Sequence, residues 1–280
     1  MSDRTILVLG GTGKTGRRVA ERLWARALPV RIGSRSGDPA FDWDDPATWG
    51  PALEGAGAVY VSYYPDLAIP GALAAVEALS AAAAERGVTR LVLVSGRGEE
   101  EAQRAERIVM ASGLEWTVVR CSFFNQNFSE GAWVDLVREG ALALPATEVP
   151  EPFVDADDIA DVAVAALTED GHAGEVYELT GPRLLGFADA LDEISRAAGR
   201  EVRLVPISHE QFAAGLEEAG VPEEFVWLMT YLFREVLDGR NASVADGVQR
   251  ALGRPPRDFR DYAREAAATG VWAAAPVEGR

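Results

Sequence analysis

The run Gly10-Gly11-Thr12-Gly13-Lys14-Thr15-Gly16 constrains the fold most, because of where it stands. It follows a short β-prone stretch, Thr5 to Leu9, and opens a segment from Arg17 to Leu28 in which Val19, Ala20, Leu23 and Trp24 recur at helical spacing. Both Gly10-x-x-Gly13-x-x-Gly16 and Gly11-x-Gly13-x-x-Gly16 are satisfied. Glycines between a strand and a helix permit a tight turn and let backbone N–H groups approach a pyrophosphate, while the helix N-terminus adds partial positive charge. The loop therefore predicts a dinucleotide site built from Gly10, Thr12, Gly13, Lys14, Thr15 and Gly16. Gly13-Lys14-Thr15 also looks like the end of a triphosphate-binding loop, but that motif requires glycine where this chain has Val8, so ATP or GTP hydrolysis is discounted.

The alternation continues downstream. Val30 to Gly33 reads as a second strand, continuously apolar runs recur at Ala58 to Ser62 and Leu91 to Ser95, and an alanine-rich helix from Gly71 to Arg86 lies between them. A helix over Glu100 to Ala111 precedes a further strand at Trp116 to Arg120. Repeated strand and helix with apolar strands predicts an α/β fold, a doubly wound parallel sheet covered on both faces. After Phe123 the pattern loosens: residues 123–152 are loop-rich and aromatic, 156–168 look helical, and Val176 to Leu179 resembles a strand. Helices are expected over Leu185 to Gly199, Ser208 to Ala219 and Pro222 to Leu237, with a short strand at Val202 to Val205. The expected organisation is a first domain over residues 1–152, with 153–180 returning to it, and a smaller, mainly helical C-terminal substrate domain over 181–280.

A net charge of −17 would repel phosphate backbones and anionic lipid, which argues against nucleic acid and membrane partners. The most apolar stretch, Leu67 to Ala84, is interrupted by Pro70 and Glu77 and does not read as a membrane span. The single cysteine, Cys121, cannot form an internal disulfide, and no signal-peptide pattern opens the chain, so a cytoplasmic location is expected.

Cofactor choice is read at the end of the second strand, where an NAD site places an acid about 20 residues beyond the glycine loop. Here the run is Ile32-Gly33-Ser34-Arg35-Ser36, with no acid before Asp38. Arg35, with Ser34 and Lys14, is suited to a 2′-phosphate, and NADP(H) is the expected cofactor.

Six segments together resemble the NmrA-like atypical short-chain dehydrogenases: Ile6 to Gly16, Phe41-Asp-Trp-Asp-Asp-Pro-Ala-Thr-Trp49, Ser112 to Arg120, Phe123-Phe-Asn-Gln-Asn-Phe128, Pro152 to Ala160, and Tyr177-Glu-Leu-Thr-Gly-Pro182. The resemblance spans most of the first 185 residues and implies a Rossmann-type domain with a small substrate domain. Relatives include type 2 quinone oxidoreductases, triphenylmethane reductases, and members that bind the cofactor only to sense redox state. By position the resemblance implies that Asp42 meets the adenine, that Ser62, Tyr63, Tyr64 and Pro65 line the ribose side, and that Ser95 and Gly96 lie near the nicotinamide. It gives the loop Ser122 to Asn127 to the substrate pocket. Cys121 departs from the pattern, since relatives commonly carry proline after the arginine.

Ordinary short-chain dehydrogenases use Tyr-x-x-x-Lys, in which the lysine lowers the tyrosine pKa for proton transfer. Lys14 is the one lysine of this chain, and none of Tyr60, Tyr63, Tyr64, Tyr177, Tyr231 or Tyr262 has a lysine four residues on. Arg104 stands where some relatives keep a lysine, and an arginine is a poor proton shuttle. The expected reaction is therefore hydride transfer from NADPH to a planar conjugated acceptor, a quinone or polycyclic aromatic metabolite, that scarcely needs a protein acid. Phe123, Phe124, Trp133 and Phe153 are candidate walls for a flat acceptor, with Asn125, Gln126 and Asn127 as hydrogen-bond donors. Core packing is the competing expectation for each aromatic. A non-catalytic NADP(H) sensor acting through a protein partner is the alternative function, and a sugar-nucleotide epimerase is disfavoured by the same missing pair.

His172 and His209 have no companions at ligand spacing, so no metal site is expected. Asp155, Asp157, Asp158 and Asp161 are read as helix-terminal charge and Cys121 as a packed thiol. The apolar helix Phe225 to Leu237 is a candidate lid, partner surface or homodimer face, which leaves monomer and homodimer both open.

Overall fold

The computed structural model describes residues 4–145 and 148–273. The strands are β1 (Thr5–Leu9), β2 (Val30–Gly33), β3 (Ala56–Val61), β4 (Arg90–Gly96), β5 (Glu115–Cys121), β6 (Ala141–Leu144), β7 (Glu175–Leu179) and β8 (Arg203–Pro206). The helices are α1 (Lys14–Ala25), α2 (Trp49–Leu53), α3 (Ala72–Glu85), α4 (Glu100–Met110), α5 (Trp133–Glu139), α6 (Ala156–Thr168), α7 (Phe187–Ala198), α8 (His209–Glu218), α9 (Glu223–Tyr231), α10 (Gly247–Leu252) and α11 (Phe259–Ala268). The chain divides into two compact units.

The first unit comprises residues 1–121, 156–179 and 245–255. Its six strands form one sheet in the order β2-β1-β3-β4-β5-β7, all neighbours parallel. The register runs through Ile6 opposite Val30, Val8 opposite Tyr60, Tyr60 opposite Val92, and Cys121 opposite Leu179. Winding reverses between β1 and β3, and in open sheets of this kind the ligand crevice lies at the carboxyl ends of the strands flanking that point. The expected doubly wound Rossmann-type fold is thus the observed one. Leu7, Leu9, Val59, Val61, Leu91 and Leu93 form one core with Val76, Leu79 and Ala83 of α3 and Ala102, Ala105 and Val109 of α4. The intervening Ile6, Val8, Tyr60 and Val92 are also buried and, by the strand period of two, face the opposite side. That two-sided burial explains why the strands read as unbroken apolar runs.

Helix α6 is buried over nearly its whole length and lies against α1. Its acidic residues do bring charge to the helix start, but as partners of arginines. Arg22 Nη2 donates to Asp157 Oδ1 at 2.6 Å, Arg22 Nε to Asp161 Oδ1 at 2.6 Å, and Arg254 Nη1 to the fully buried Asp158 Oδ1 at 2.7 Å. Pairing is what makes a buried carboxylate tolerable.

The second unit comprises residues 122–155, 180–244 and 256–280. β6 and β8 make a two-stranded parallel sheet, with Ala141 opposite Arg203 and Leu144 opposite Pro206. The core is aromatic: Phe128, Trp133, Phe153, Phe187, Phe233, Phe259 and Trp272 are all buried. The Trp272 indole N–H donates to the Phe128 carbonyl at 2.8 Å, so the one polar atom of that ring is satisfied.

The expected organisation is a first domain over 1–152 to which 153–180 return, and 156–179 are indeed part of the first unit, but the units differ from it elsewhere. Residues 122–155 lie in the second unit, and 245–255 return to the first, where Arg250 sits 5.2 Å over the Tyr177 ring and pairs with Glu175. Loop-rich sequence gives no periodic signal for such a return. The expected helix from Pro222 to Leu237 is α9 followed by a five-residue π-helical turn, Leu232–Val236. The pattern gives no expectation for α2, α5, β6 and α10, each of seven residues or fewer, nor for α11, a ten-residue helix that buries Phe259, Tyr262 and Ala263.

Phe128 is fully enclosed and touches the rings of Trp133, Phe153 and Phe259 at centroid distances of 5.4–5.7 Å. Phe128→Ala is expected to lower unfolding free energy by about 3–5 kcal/mol, read by chemical denaturation.

Candidate dinucleotide-binding site

The glycine loop joins β1 to α1, as its sequence implies. Gly10 has φ +69°, Gly13 N–H donates to the Gly10 carbonyl at 2.9 Å, and Gly13 is the residue before the first helical turn. A Cβ on Gly16 would fall 2.2 Å from the Gly10 carbonyl oxygen, so only glycine allows α1 to start this close to the end of β1. No side chain caps α1 and no acid lies in its first turn, while Thr12 and Gly13 are exposed. The N–H groups of this helix start, with no side chain capping them, and the helix dipole fit the pyrophosphate of a dinucleotide.

Other residues expected at the cofactor fall into two sets. Ser62 lies against the loop, its carbonyl 3.0 Å from where a Gly10 Cβ would be. Tyr63 is half-buried against Trp43, with ring centroids 4.6 Å apart, and Tyr64 is exposed. Ser34 accepts backbone N–H bonds from Gly37 and Phe41, and Arg35 is exposed, with no ion pair among the described residues. Asp42 is half-buried; its carboxylate accepts the Asp44 N–H at 3.2 Å, while its carbonyl accepts the Trp49 indole N–H at 2.6 Å. Lys14 is half-buried at the start of α1.

A second set is committed to the interior. Thr15 is buried, with the enclosed Tyr60 hydroxyl turned toward it, and burial pushes the Tyr60 pKa up. Ser95 is buried and donates to Glu106 Oε1 at 2.6 Å. Arg120 clamps the same carboxylate through Nε at 2.9 Å and Nη2 at 2.5 Å, and reaches Glu178 Oε1 at 2.7 Å. The hydrogen bonds to Glu106 raise the Arg120 pKa further, so this cation is permanent. The network fixes the end of β4, where Gly96 stays half-buried. Cys121 is buried, and burial raises its thiol pKa, which suits a packed and unreactive cysteine.

The loop 122–128 lies in the second unit. Phe123 and Phe124 are half-buried; Phe153 and Trp133 are core rings, with Phe153 edge-on to Phe123 at 6.0 Å and Trp133 stacked on it at 5.6 Å. For those two rings the packing expectation prevails. Gln126 is buried and donates to Asp155 at 2.7 Å, which makes it structural. Asn127 is half-buried. Asn125 is fully buried, and neither its Oδ1 nor its Nδ2 has a protein partner; the buried Ser122 hydroxyl has none either. His172 Nδ1 is 2.9 Å from the Tyr177 hydroxyl, a structural contact, and no group of acids, histidines and cysteine suited to a metal occurs among the described residues. Arg104 is exposed on a surface groove between α3 and α4.

Sequence reasoning missed a carboxylate pair, Asp66 and Glu99. Glu99 precedes α4 in the run Glu99-Glu100-Glu101 and passes for ordinary helix-start charge, although it alone of the three is buried.

With this geometry in place, the family follows. Residues 10–170 match a family model described as NAD(P)H-binding. The NAD(P)H azoreductase of Xenophilus azovorans is 33% identical, over 94% of this chain and 98% of its own. Among solved structures, an NADPH-dependent quinone oxidoreductase from Escherichia coli complexed with NADPH superposes with TM-score 0.77 at 19% identity, covering 93% of this chain and 99% of that one. NmrA, a negative transcriptional regulator, does so with TM-score 0.71 at 19% identity, covering 97% and 98%. The chain belongs to the NAD(P)H-binding family. It is an NAD(P)H-dependent oxidoreductase. No helix among the described residues is long and apolar enough to cross a membrane.

Gly16→Ala is expected to raise the dissociation constant for NADPH about tenfold or more, by driving α1 off β1. Gly215→Ala, inside α8 with nothing near its added methyl, should instead gain up to about 1 kcal/mol of stability and leave binding alone. Fluorescence titration and denaturation check the two.

Proposed function

We propose that the protein is an NADPH-dependent reductase that passes hydride to a planar conjugated acceptor, a quinone or polycyclic aromatic compound, without a Tyr-x-x-x-Lys pair. The observation that carries this reading is the Asn125 amide, fully buried with both polar atoms unpartnered beside two half-buried phenylalanines. A polar group enclosed in that way costs about 1–3 kcal/mol unless something pairs with it, and the oxygen of a flat carbonyl compound would accept from Nδ2 while its ring meets the apolar face. Phe123 and Phe124 would sandwich or shelve the acceptor, Asn125 would donate to its oxygen, and Asn127 would line the same pocket. Phe153 would act from behind by holding Phe123.

The cofactor, when bound, supplies a hydride from its nicotinamide. Gly10, Thr12, Gly13 and Gly16 bind its pyrophosphate in this reading, with Lys14 and Thr15 shaping the loop. Ser34 and Arg35 hold the 2′-phosphate, Asp42 the adenine edge, and Ser62, Tyr63 and Tyr64 the ribose side. Ser95 and Gly96 form the floor near the nicotinamide, Ser95 through its fixed bond to Glu106.

Purified protein should oxidise NADPH in the presence of quinones and a cationic dye and leave simple ketones untouched, followed by loss of nicotinamide absorbance. Tight NADPH binding with silence on every acceptor would favour the redox-sensor reading. Arg35→Ala should weaken NADPH about tenfold or more, the scale of a lost charge-assisted hydrogen bond, and NADH far less. Equal losses for both would remove Arg35 from the 2′-phosphate.

A further inference from the structure

The Asp66 and Glu99 side chains meet at the carboxyl end of β4. Glu99 folds back so closely that a Cβ on Gly96 would fall 1.9 Å from its Oε1, and the carboxyl occupies the space that glycine leaves open. Glu99 is 7% exposed, and its Oε2 is enclosed with no hydrogen-bond donor. Its companion is another carboxylate, Asp66, which accepts the Ala68 N–H at 2.8 Å and is half-buried. Around the pair, Glu101 and Glu106 of α4 add like charge and Cys121 of β5 is a neutral neighbour, while the nearby cation Arg120 is spent on Glu106 and Glu178. Two carboxylates in contact in such a place cannot both ionise, so one proton is shared. Asp66, bonded to a backbone N–H, keeps the charge. Glu99 keeps the proton and donates it to Asp66, because burial and the Asp66 charge both raise its pKa.

We propose that Glu99, held by Asp66, is the proton donor of the reductase for acceptors whose reduction leaves an anion. The inference rests on the hydride-transfer reading above. The acceptor takes hydride with its electron pair at one atom, so that a quinone carbonyl system becomes a hydroquinone anion. The Glu99 O–H bond then breaks, its proton goes to the anionic oxygen, and Glu99 is left as carboxylate. Asp66, the less enclosed of the two, relays a proton from water back to it. The place fits: Gly96 ends β4 at the carboxyl edge of the sheet, on the same edge as the glycine loop and two strands from it. A cationic dye needs no such donor, because hydride on a cationic carbon gives a neutral product.

The test compares wild type and Glu99→Gln on a quinone and on a cationic triarylmethane dye. The expected result is a loss in kcat at least tenfold larger on the quinone than on the dye, together with a wild-type quinone kcat that falls at high pH. Asp66→Asn, by removing the charge that raises the Glu99 pKa, should shift that fall to lower pH. Equal losses on both acceptors, or none, would overturn the donor role while leaving the reductase reading intact. A wild type inactive on both would overturn the reductase reading, and the donor role with it. A readout without turnover accompanies these. Both folded-state pKa shifts are upward, so the folded chain holds extra protons above the ordinary carboxylate range and loses stability as pH rises through the raised pKa. Glu99→Gln should flatten that decline in Tm against pH, and an unchanged decline would overturn the shared proton.

Discussion

The approach of α1 to the end of β1 is the constraint on which the cofactor half of the molecule depends. With Gly16 against the Gly10 carbonyl, the helix starts as soon as the strand ends, and its uncapped N–H groups are presented at the edge of the sheet. The burial of Val19, Ala20 and Leu23 then follows from the helix direction, and Arg22, on the same helix, reaches the acids of α6. One backbone contact of glycine on glycine thus sets the ligand edge, the packing of a helix and the pairing of a buried acidic cluster.

How much was legible in the sequence follows from the range of the signals. The first unit announces itself because strand and helix periods are local and its strands are buried on both faces; the boundaries of β2 and α6 match the expected ones to the residue. The second unit is built from non-local pairs. β6 and β8 are joined across about sixty residues, and Ala141-Leu-Ala-Leu144 carries no mark of its partner. Aromatic residues marked the neighbourhood but left two roles open for each ring; Trp133 and Phe153 are buried in a core with Phe128, Phe187, Phe233 and Phe259. Asn125, by contrast, is distinguished only by what it lacks, a partner, and sequence does not show that.

The positive charge of the chain explains much of its buried electrostatics. Lys14 is the one lysine, and arginine makes the extended ion-pair networks of the described residues, as in Arg22 with Asp157 and Asp161, Arg120 with Glu106 and Glu178, and Arg183 with Glu193 and Asp258. A planar guanidinium spans two carboxylates and never gives up its proton, so these networks are rigid and inert. The cost is chemical: no tyrosine of this chain has a lysine four residues on to lower its pKa.

Burial then decides which acid is left for proton transfer. It raises Tyr60 and Cys121, which are weak acids to begin with, and so removes both from chemistry near neutral pH. The same burial acts on Glu99, whose ordinary pKa lies far below neutral, and a rise there has the opposite consequence: the carboxyl holds a proton it would otherwise have lost, and can release it where negative charge develops. Gly96 is what allows the carboxyl to lie there, since any side chain at that position would occupy its place. The protein that lacks a tyrosine and lysine pair thus keeps a usable proton at the same edge of its sheet by enclosing two carboxylates and paying the repulsion between them.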